Sequence, residues 1–313
     1  MKLGAFINQK SALCSIYEAG FDIKTIIKDG GNDYSLDYIE TDGDGKTLNP
    51  NLKYDFYVIN WHNHTLPIRR EILQRLRGKK IAIVLEVDYN NNLPMTPDWF
   101  DAYMIIDPTK ERKDKFFPFP RPIFPADNLK PILDDSKFIL GGFGLVNYKF
   151  TNEKRFEEVI QNANKHAGEC IVRFSFPSAT FTDTTLSNLK TYAERLKRLA
   201  KSNVDVRFSY DYMPKKDLIS WLSEHHANCF PYYRSRPGLS AVTDQAIEAN
   251  RGIIITECNT FRHLHKYISH YPTQSYEELA VSTLPGVRQM QEDWSPQNFK
   301  KQFTNLLIEN HII

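Results

Sequence analysis

Between Pro231 and Arg262 the chain reads PYYRSRPGLSAVTDQAIEANRGIIITECNTFR. Asn228-Cys229-Phe230 closes a strand, and Pro237-Gly238-Leu239-Ser240 turns the chain. Ser240 is placed to cap a helix over Ala241–Asn250, because a serine oxygen accepts one of the N–H groups left over at a helix start. Arg251-Gly252 breaks that helix. Ile253 to Thr256 is then an apolar, β-branched run of the kind a strand buried on both faces requires. Strand, loop, helix and strand in this order make a βαβ unit, and such units build parallel sheets. The stretch therefore predicts an α/β fold.

A βαβ unit puts a helix start at the carboxyl edge of its sheet. Unpaired N–H groups and the helix dipole favour an anion there. Arg234 and Arg236 add two positive charges in the same loop. Asp244 follows one turn into the helix. Its carboxylate only accepts hydrogen bonds, so it repels a phosphate and suits neutral hydroxyls such as those of a ribose. Phosphate and polyol together predict a nucleotide site.

The block GLSAVTDQAIEANRGIII resembles the donor-binding segment of retaining GT-B glycosyltransferases, of the glycosyltransferase family 4 kind. Many members have Gly-Leu-Ser, a short helix with an acidic residue, a small-residue turn, then Pro-Val-Ile. The resemblance implies that Gly238, Leu239, Ser240 and the helix start hold a diphosphate. The family's two glutamates fall here on Pro237 and Gln245, and neither is acidic. A subset of the family carries an aspartate one position before the second. That position is Asp244, which takes the ribose role with Gln245 beside it, while the first glutamate's role is unfilled.

A chain of 313 residues suits two domains. With 41% hydrophobic and 25% charged residues it has apolar material for two cores. A net charge of +2 argues against a dedicated nucleic-acid binder. Cys14, Cys170, Cys229 and Cys258 are scattered without CxxC spacing, as reduced and mostly buried thiols of a cytosolic protein are. MKLGAFINQKS has no long apolar segment, so a signal peptide is not expected. No run is long and apolar enough to span a membrane. These features predict a cytoplasmic protein. A basic amphipathic helix over Arg69–Arg77 offers peripheral contact with an anionic membrane, although a solvated face is the plainer reading.

In the first half, Leu3–Ile7 reads as a strand and Asn8–Ser11 as a polar loop. Residues 12–28 read as a helix stopped by Gly30-Gly31, and Ser35–Ile39 as a strand. Thr41–Thr47 is a charged surface turn. A P-loop would need glycine where Glu40 stands, and a calcium loop would need further acidic ligands. Strands over Tyr54–Asn60, Lys80–Glu86 and Asp101–Ile106 end in polar groups, where an open α/β sheet builds its crevice. His62 and His64 lack a third metal ligand at usable spacing. They stand, with Asp88 and Glu86, as acid–base or acceptor-binding candidates against purely structural roles. Residues 116–125, FFPFPRPIFP, carry four prolines, which exclude a helix and a central strand. They read as an extended, packed linker. An SH3-type ligand would not be this aromatic.

In the second half, Phe138–Leu140 is a strand. Gly141-Gly142-Phe143-Gly144 then makes a glycine-rich turn before a helix over 151–164 capped by Thr151, a phosphate-cradle pattern. The family resemblance implies donor contacts from Gly142 and Gly144 and a diphosphate contact from Lys149. The arginine that often precedes that lysine is absent near Phe143, so Arg234 or Arg236 stands in. Glu169–Phe174 and Val204–Phe208 are strands. Thr185–Ser202 is a helix with Leu186, Leu189, Leu196 and Leu199 inward, and Lys215–His226 is another. The resemblance puts the Tyr212 loop near the nucleotide base. Phe261–Leu264 begins a further helix. Ser295-Pro296 is an N-cap and N1 pair, and Phe299, Phe303, Leu306 and Leu307 share one face.

The expected fold class is α/β, with two Rossmann-like domains in the GT-B architecture facing each other across a cleft. The divisions are 1–125, an acceptor-side domain with its linker; 126–290, a nucleotide-sugar-binding domain; and 291–313, a C-terminal helix that crosses back to the first domain. The resemblance implies a metal-independent, retaining glycosyltransferase with no cofactor. A nucleotide-diphosphate sugar serves as co-substrate and a glycan or lipid-linked glycan as acceptor. Alternatives are a nucleotide-sugar epimerase and a non-catalytic glycan- or partner-binding module.

Overall fold

Alternation of short apolar runs with helical segments becomes two parallel sheets. The computed structural model describes the chain apart from residues 11–14, 43, 50, 52, 63, 87–97, 147–154, 167, 179–183, 234–237 and 270–273. The first sheet holds β1 (Lys2–Gln9), β2 (Tyr34–Thr41), β3 (Phe56–Asn60), β4 (Lys79–Val84), β5 (Ala102–Ile105) and β6 (Phe116–Pro118). Its order is β2-β1-β3-β4-β5-β6, with every neighbouring pair parallel. α1 (Ser15–Ile27) connects β1 to β2, and α2 (Arg70–Arg75) connects β3 to β4. Winding reverses between β1 and β3. The proline-rich stretch supplies β6 at the sheet edge, where a residue without an N–H is tolerated.

Successive strand residues point to opposite faces, and both faces of this sheet are covered. Phe6, Val58, Ile81 and Met104 pack with Ile23 and Ile27 of α1. Ile7, Ile59, Ala82 and Val84 pack on the other face with Leu73 of α2. The first face is completed by α9 (Pro296–Glu309), which buries Phe299, Phe303, Leu306 and Leu307 there. Ser295 caps α9 by accepting from Asn298 N, with Pro296 in the first turn. The first unit thus comprises Met1–Pro122, Pro237–Leu239 and Trp294–Ile313.

The second unit comprises Ile123–Arg236 and Ser240–Asp293. Its strands are β7 (Phe138–Phe143), β8 (Cys170–Ser175), β9 (Val204–Ser209), β10 (Ala227–Phe230) and β11 (Gly252–Ile255). They run parallel in the order β11-β10-β7-β8-β9, which reverses between β7 and β10. Its helices are α3 (Phe156–Ala163), α4 (Leu186–Lys197), α5 (Lys215–Leu222), α6 (Val242–Glu248), α7 (Tyr276–Ser282) and α8 (Leu284–Asp293). Among the described residues no helix is long and apolar enough to cross a membrane.

Several elements depart from the sequence expectation. β7 does not stop at Leu140 but runs through Gly141 and Gly142, which pair with Arg173 and Phe174. A Cβ on Gly141 would lie 1.9 Å from His225 Nδ1, and one on Gly142 would lie 2.9 Å from Cys229 O. These glycines allow close approach inside the sheet. α2 ends at Arg75 because Leu76 is extended and Gly78 has φ +120°. α4 begins with Thr185 accepting from Asn188 N and ends five residues earlier than expected, leaving Leu186 exposed. α5 ends at Leu222, and a 3-10 turn over Asn259–Phe261 replaces a helix start at Phe261. α3 begins at Phe156, and Thr151 lies outside the described residues.

Candidate functional site

In an open α/β sheet, ligands bind beyond the carboxyl ends of the strands where the winding reverses. In the second unit that point lies between β7 and β10. The Tyr232 hydroxyl donates to Phe143 O across it at 3.3 Å, and Thr256 Oγ1 donates to Tyr232 O. Arg155 N, before α3, donates to Pro231 O at 3.0 Å. The Arg155 guanidinium lies 4.4 Å from the Tyr233 ring centre and bonds Glu158, which also accepts from the Tyr233 hydroxyl at 2.7 Å. The start of α3 and the exit of β10 are therefore tied together. Gly144 leaves β7 at φ +142°, in a conformation that favours glycine.

The loop into α6 is ordered differently from the sequence reading. The helix begins at Val242, and Ser240 does not cap it with its side chain. Ser240 N instead donates to Thr260 O at 3.1 Å, and Ser240 O accepts from Thr243 Oγ1 at 3.0 Å. Thr243 Oγ1 also lies 3.3 Å from His263 Nε2. Asp244 sits in the first turn of α6 and is 7% exposed, while Gln245 is partly exposed. Gly238 has φ +88°, which a side chain would strain, and Leu239 is buried.

In the first unit the reversal point is filled by two buried amides that lie 52 positions apart. Asn60 Nδ2 donates to Asn8 Oδ1 at 2.9 Å and to Ile16 O at 2.8 Å. Asn8 Nδ2 donates to Tyr17 O at 3.2 Å. Gly20 of α1 makes room for the pair, since a Cβ there would stand 2.3 Å from Asn60 Nδ2. Sequence reading passed over this pair. Its one signal is an asparagine at the carboxyl end of each of two apolar runs.

Beyond β3, His62 is buried and His64 is exposed. His62 Nδ1 accepts from the backbone N–H groups of His64 and Thr65 at 3.2 and 3.3 Å. The ring proton therefore belongs on Nε2, which lies 3.4 Å from Glu86 Oε2. In this tautomer the Nδ1 lone pair is engaged by the backbone and Nε2 faces the Glu86 carboxylate. Asp107, at the end of β5, is buried and accepts from Thr109 N and Oγ1.

No protein-family model matches the sequence, and neither does any curated protein. The backbone matches solved structures over nearly its full length. HepE of Anabaena in complex with UDP and glucose aligns with a TM-score of 0.64 at 10% identity, covering 99% of this chain and 100% of that one. The apo lipopolysaccharide outer core galactosyltransferase WaaB gives 0.61 at 9% identity, covering 99% of each chain. The E. coli trehalose-6-phosphate structure bound with UDP-2-fluoro glucose gives 0.58 at 10% identity, covering 99% of this chain and 96% of that one. The chain has the GT-B fold.

The GT-B frame gathers some of the sequence-predicted residues and separates others. Gly144, Ser240, Asp244 and Gln245 lie at the carboxyl ends of the second sheet. Gly142 is inside β7, a correction to its reading as part of a turn. Tyr212 is 47% exposed in the loop after β9, the edge strand on the far side of β8, and is not brought to the reversal point. Asp88, Lys149, Arg234 and Arg236 lie outside the described residues. Burial pushes the Cys170 and Cys229 thiols up to about 12, which removes both as nucleophiles. Among the described residues, no three His, Cys, Asp or Glu side chains are grouped to hold a metal ion.

Proposed function

We propose that the protein transfers a sugar from a nucleoside-diphosphate sugar to an acceptor hydroxyl. The observation that carries this reading is Asp244, buried in the first turn of α6 in a fold that covers the whole chain and is shared with HepE bound to UDP and glucose. In this reading Asp244 and Gln245 take the ribose hydroxyls, and Gly144, Gly238, Leu239 and Ser240 line the diphosphate. Lys149, Arg234 and Arg236 carry the charge that develops on the leaving group, which preorganised cations and N–H groups stabilise strongly. Tyr212 belongs to the loop assigned to the base.

Acceptor chemistry belongs to the first unit. In this reading Glu86, which lies 3.4 Å from His62 Nε2, and Asp88 are the carboxylates that meet the acceptor hydroxyl, with the exposed His64 as a further candidate. Retention of anomeric configuration and independence of divalent metal are part of the proposal. Proton NMR of the first-formed product anomer checks the one, and activity in excess EDTA checks the other.

The deciding experiment is a thermal-shift screen of UDP, GDP, ADP, CMP and dTDP on the wild type and on Asp244→Ala. A ligand at about a hundred times its Kd adds roughly 2.7 kcal/mol of stability. Loss of a hydrogen bond to a charged group should weaken the bound nucleotide about 10- to 100-fold in Asp244→Ala. A second reading, a glycan-binding module without turnover, is favoured by the missing acids at Pro237 and Gln245. Slow release of nucleotide from the donor in the absence of acceptor would exclude it.

A further inference from the structure

The first unit contains a cavity of about 380 Å³ lined by Arg70 and Gln74 of α2, Lys80 of β4, and Asp98, Trp99 and Asp101 ahead of β5. Lys80 and Asp101 stand at the amino ends of their strands, so this cavity is separate from the carboxyl edge where transfer is proposed. Its volume is that of a small-ligand site. Leu73 and Phe100, both buried, form its apolar floor, and Trp99 packs one side on the core and remains partly exposed.

The charges in this cavity are unevenly matched. Asp101 accepts from Lys80 N at 2.8 Å and from Lys79 Nζ at 3.1 Å. Asp98 is paired with Lys115. Among the described residues Lys80 Nζ bonds only the neutral Gly78 O, at 3.0 Å. Arg70 and Gln74 are exposed and make no side-chain bond among the described residues. Both carboxylates are thus neutralised, while two cations, an amide and a flat indole face the space. A planar carboxylate fits a guanidinium by two parallel hydrogen bonds. The apolar face of a sugar ring fits an indole, which offers flat area at little conformational cost.

We propose that this cavity is a second glycan site, which binds a uronate unit of an acidic oligosaccharide through Arg70, Lys80, Gln74 and Trp99. The inference rests on the glycosyl-transfer reading for its class of ligand. Calorimetric titration of the full-length protein with trigalacturonate, and with neutral maltotriose as control, tests it. Trigalacturonate should bind the wild type and bind about tenfold or more weakly to Arg70→Ala and to Trp99→Leu, which keeps apolar packing on the core. Maltotriose should bind at least about tenfold more weakly than trigalacturonate on the same grounds. No binding of trigalacturonate, equal binding of maltotriose, or an unchanged Arg70→Ala would overturn the proposal. The nucleotide screen on the same preparations separates the two readings. A nucleotide shift without uronate binding removes this site alone, whereas Arg70-dependent uronate binding without any nucleotide shift keeps the site and removes the transferase reading.

Discussion

The two sheets solve one topological problem with opposite materials. In the first, the reversal between β1 and β3 is filled by side chains, with Asn8 and Asn60 bonded to each other and to carbonyls of α1. In the second, the reversal between β7 and β10 is made by removing side chains. Gly141 and Gly142 leave room for buried His225 and for the backbone of β10, and His225 Nδ1 lies 2.9 Å from Asn228 Oδ1. The edge of the first unit therefore presents titratable side chains, among them His62, Glu86 and Asp107. The second presents mostly backbone, with Asp244 as its buried acid. Backbone groups suit a phosphate, and side chains suit a hydroxyl that must be chosen and deprotonated.

The comparison can be broken most easily at Gly141. Gly141→Ala forces a methyl into the imidazole of His225 and should cost about 3 kcal/mol or more, the upper end for overpacking. Urea denaturation measures it, and a variant within experimental error of the wild type would refute the close-approach account. An effect of similar size, spread over several pH units, is expected from pH. Burial holds His225 down at about 3, against an ordinary value of 6.5. The unfolded chain takes up a proton there before the folded chain does, so the stability is full above pH 6.5 and is lost as pH falls toward 3. Between those limits the loss should be about 1 kcal/mol per pH unit. His225→Gln should flatten that slope between pH 6.5 and 4.5, and parallel slopes would count against it. Asn60→Ala tests the first unit. It removes the side-chain donor to Ile16 O and to Asn8 Oδ1, which keeps the Gln9 N–H at 3.0 Å, and should cost about 1–3 kcal/mol, with no titration of its own.

The βα alternation and the cap of α9 were legible in the sequence because each rests on local pattern, whereas the strand order that sets both reversal points is a long-range property. Ser295-Pro296 followed by Phe299 and Phe303 needs no distant partner to be understood. What escaped depends on long-range contacts. Gly141-Gly142 has the composition of a turn, and only His225 and Cys229 O, far along the chain, show why the glycines are inside a strand. Ser240 has the chemistry of a cap, but its backbone N–H is taken by Thr260. His62 was visible as a titratable group. Its tautomer was not, because it follows from where the N–H groups of His64 and Thr65 point. Leu186 follows a helical spacing yet lies at the exposed start of α4.

The placement of α9 bears on how the protein is made. The first sheet leaves the ribosome early, but one of its faces is closed by Phe299, Phe303, Leu306 and Leu307, which come after Ile123–Asp293. At about 5–20 residues per second that interval is roughly ten to thirty seconds. During it the nascent N-terminal half displays an uncovered apolar face, and the second unit can fold before the first is finished. This protein completes its beginning last, so a ribosome stalled near its end would leave a greasy surface for chaperones to shield.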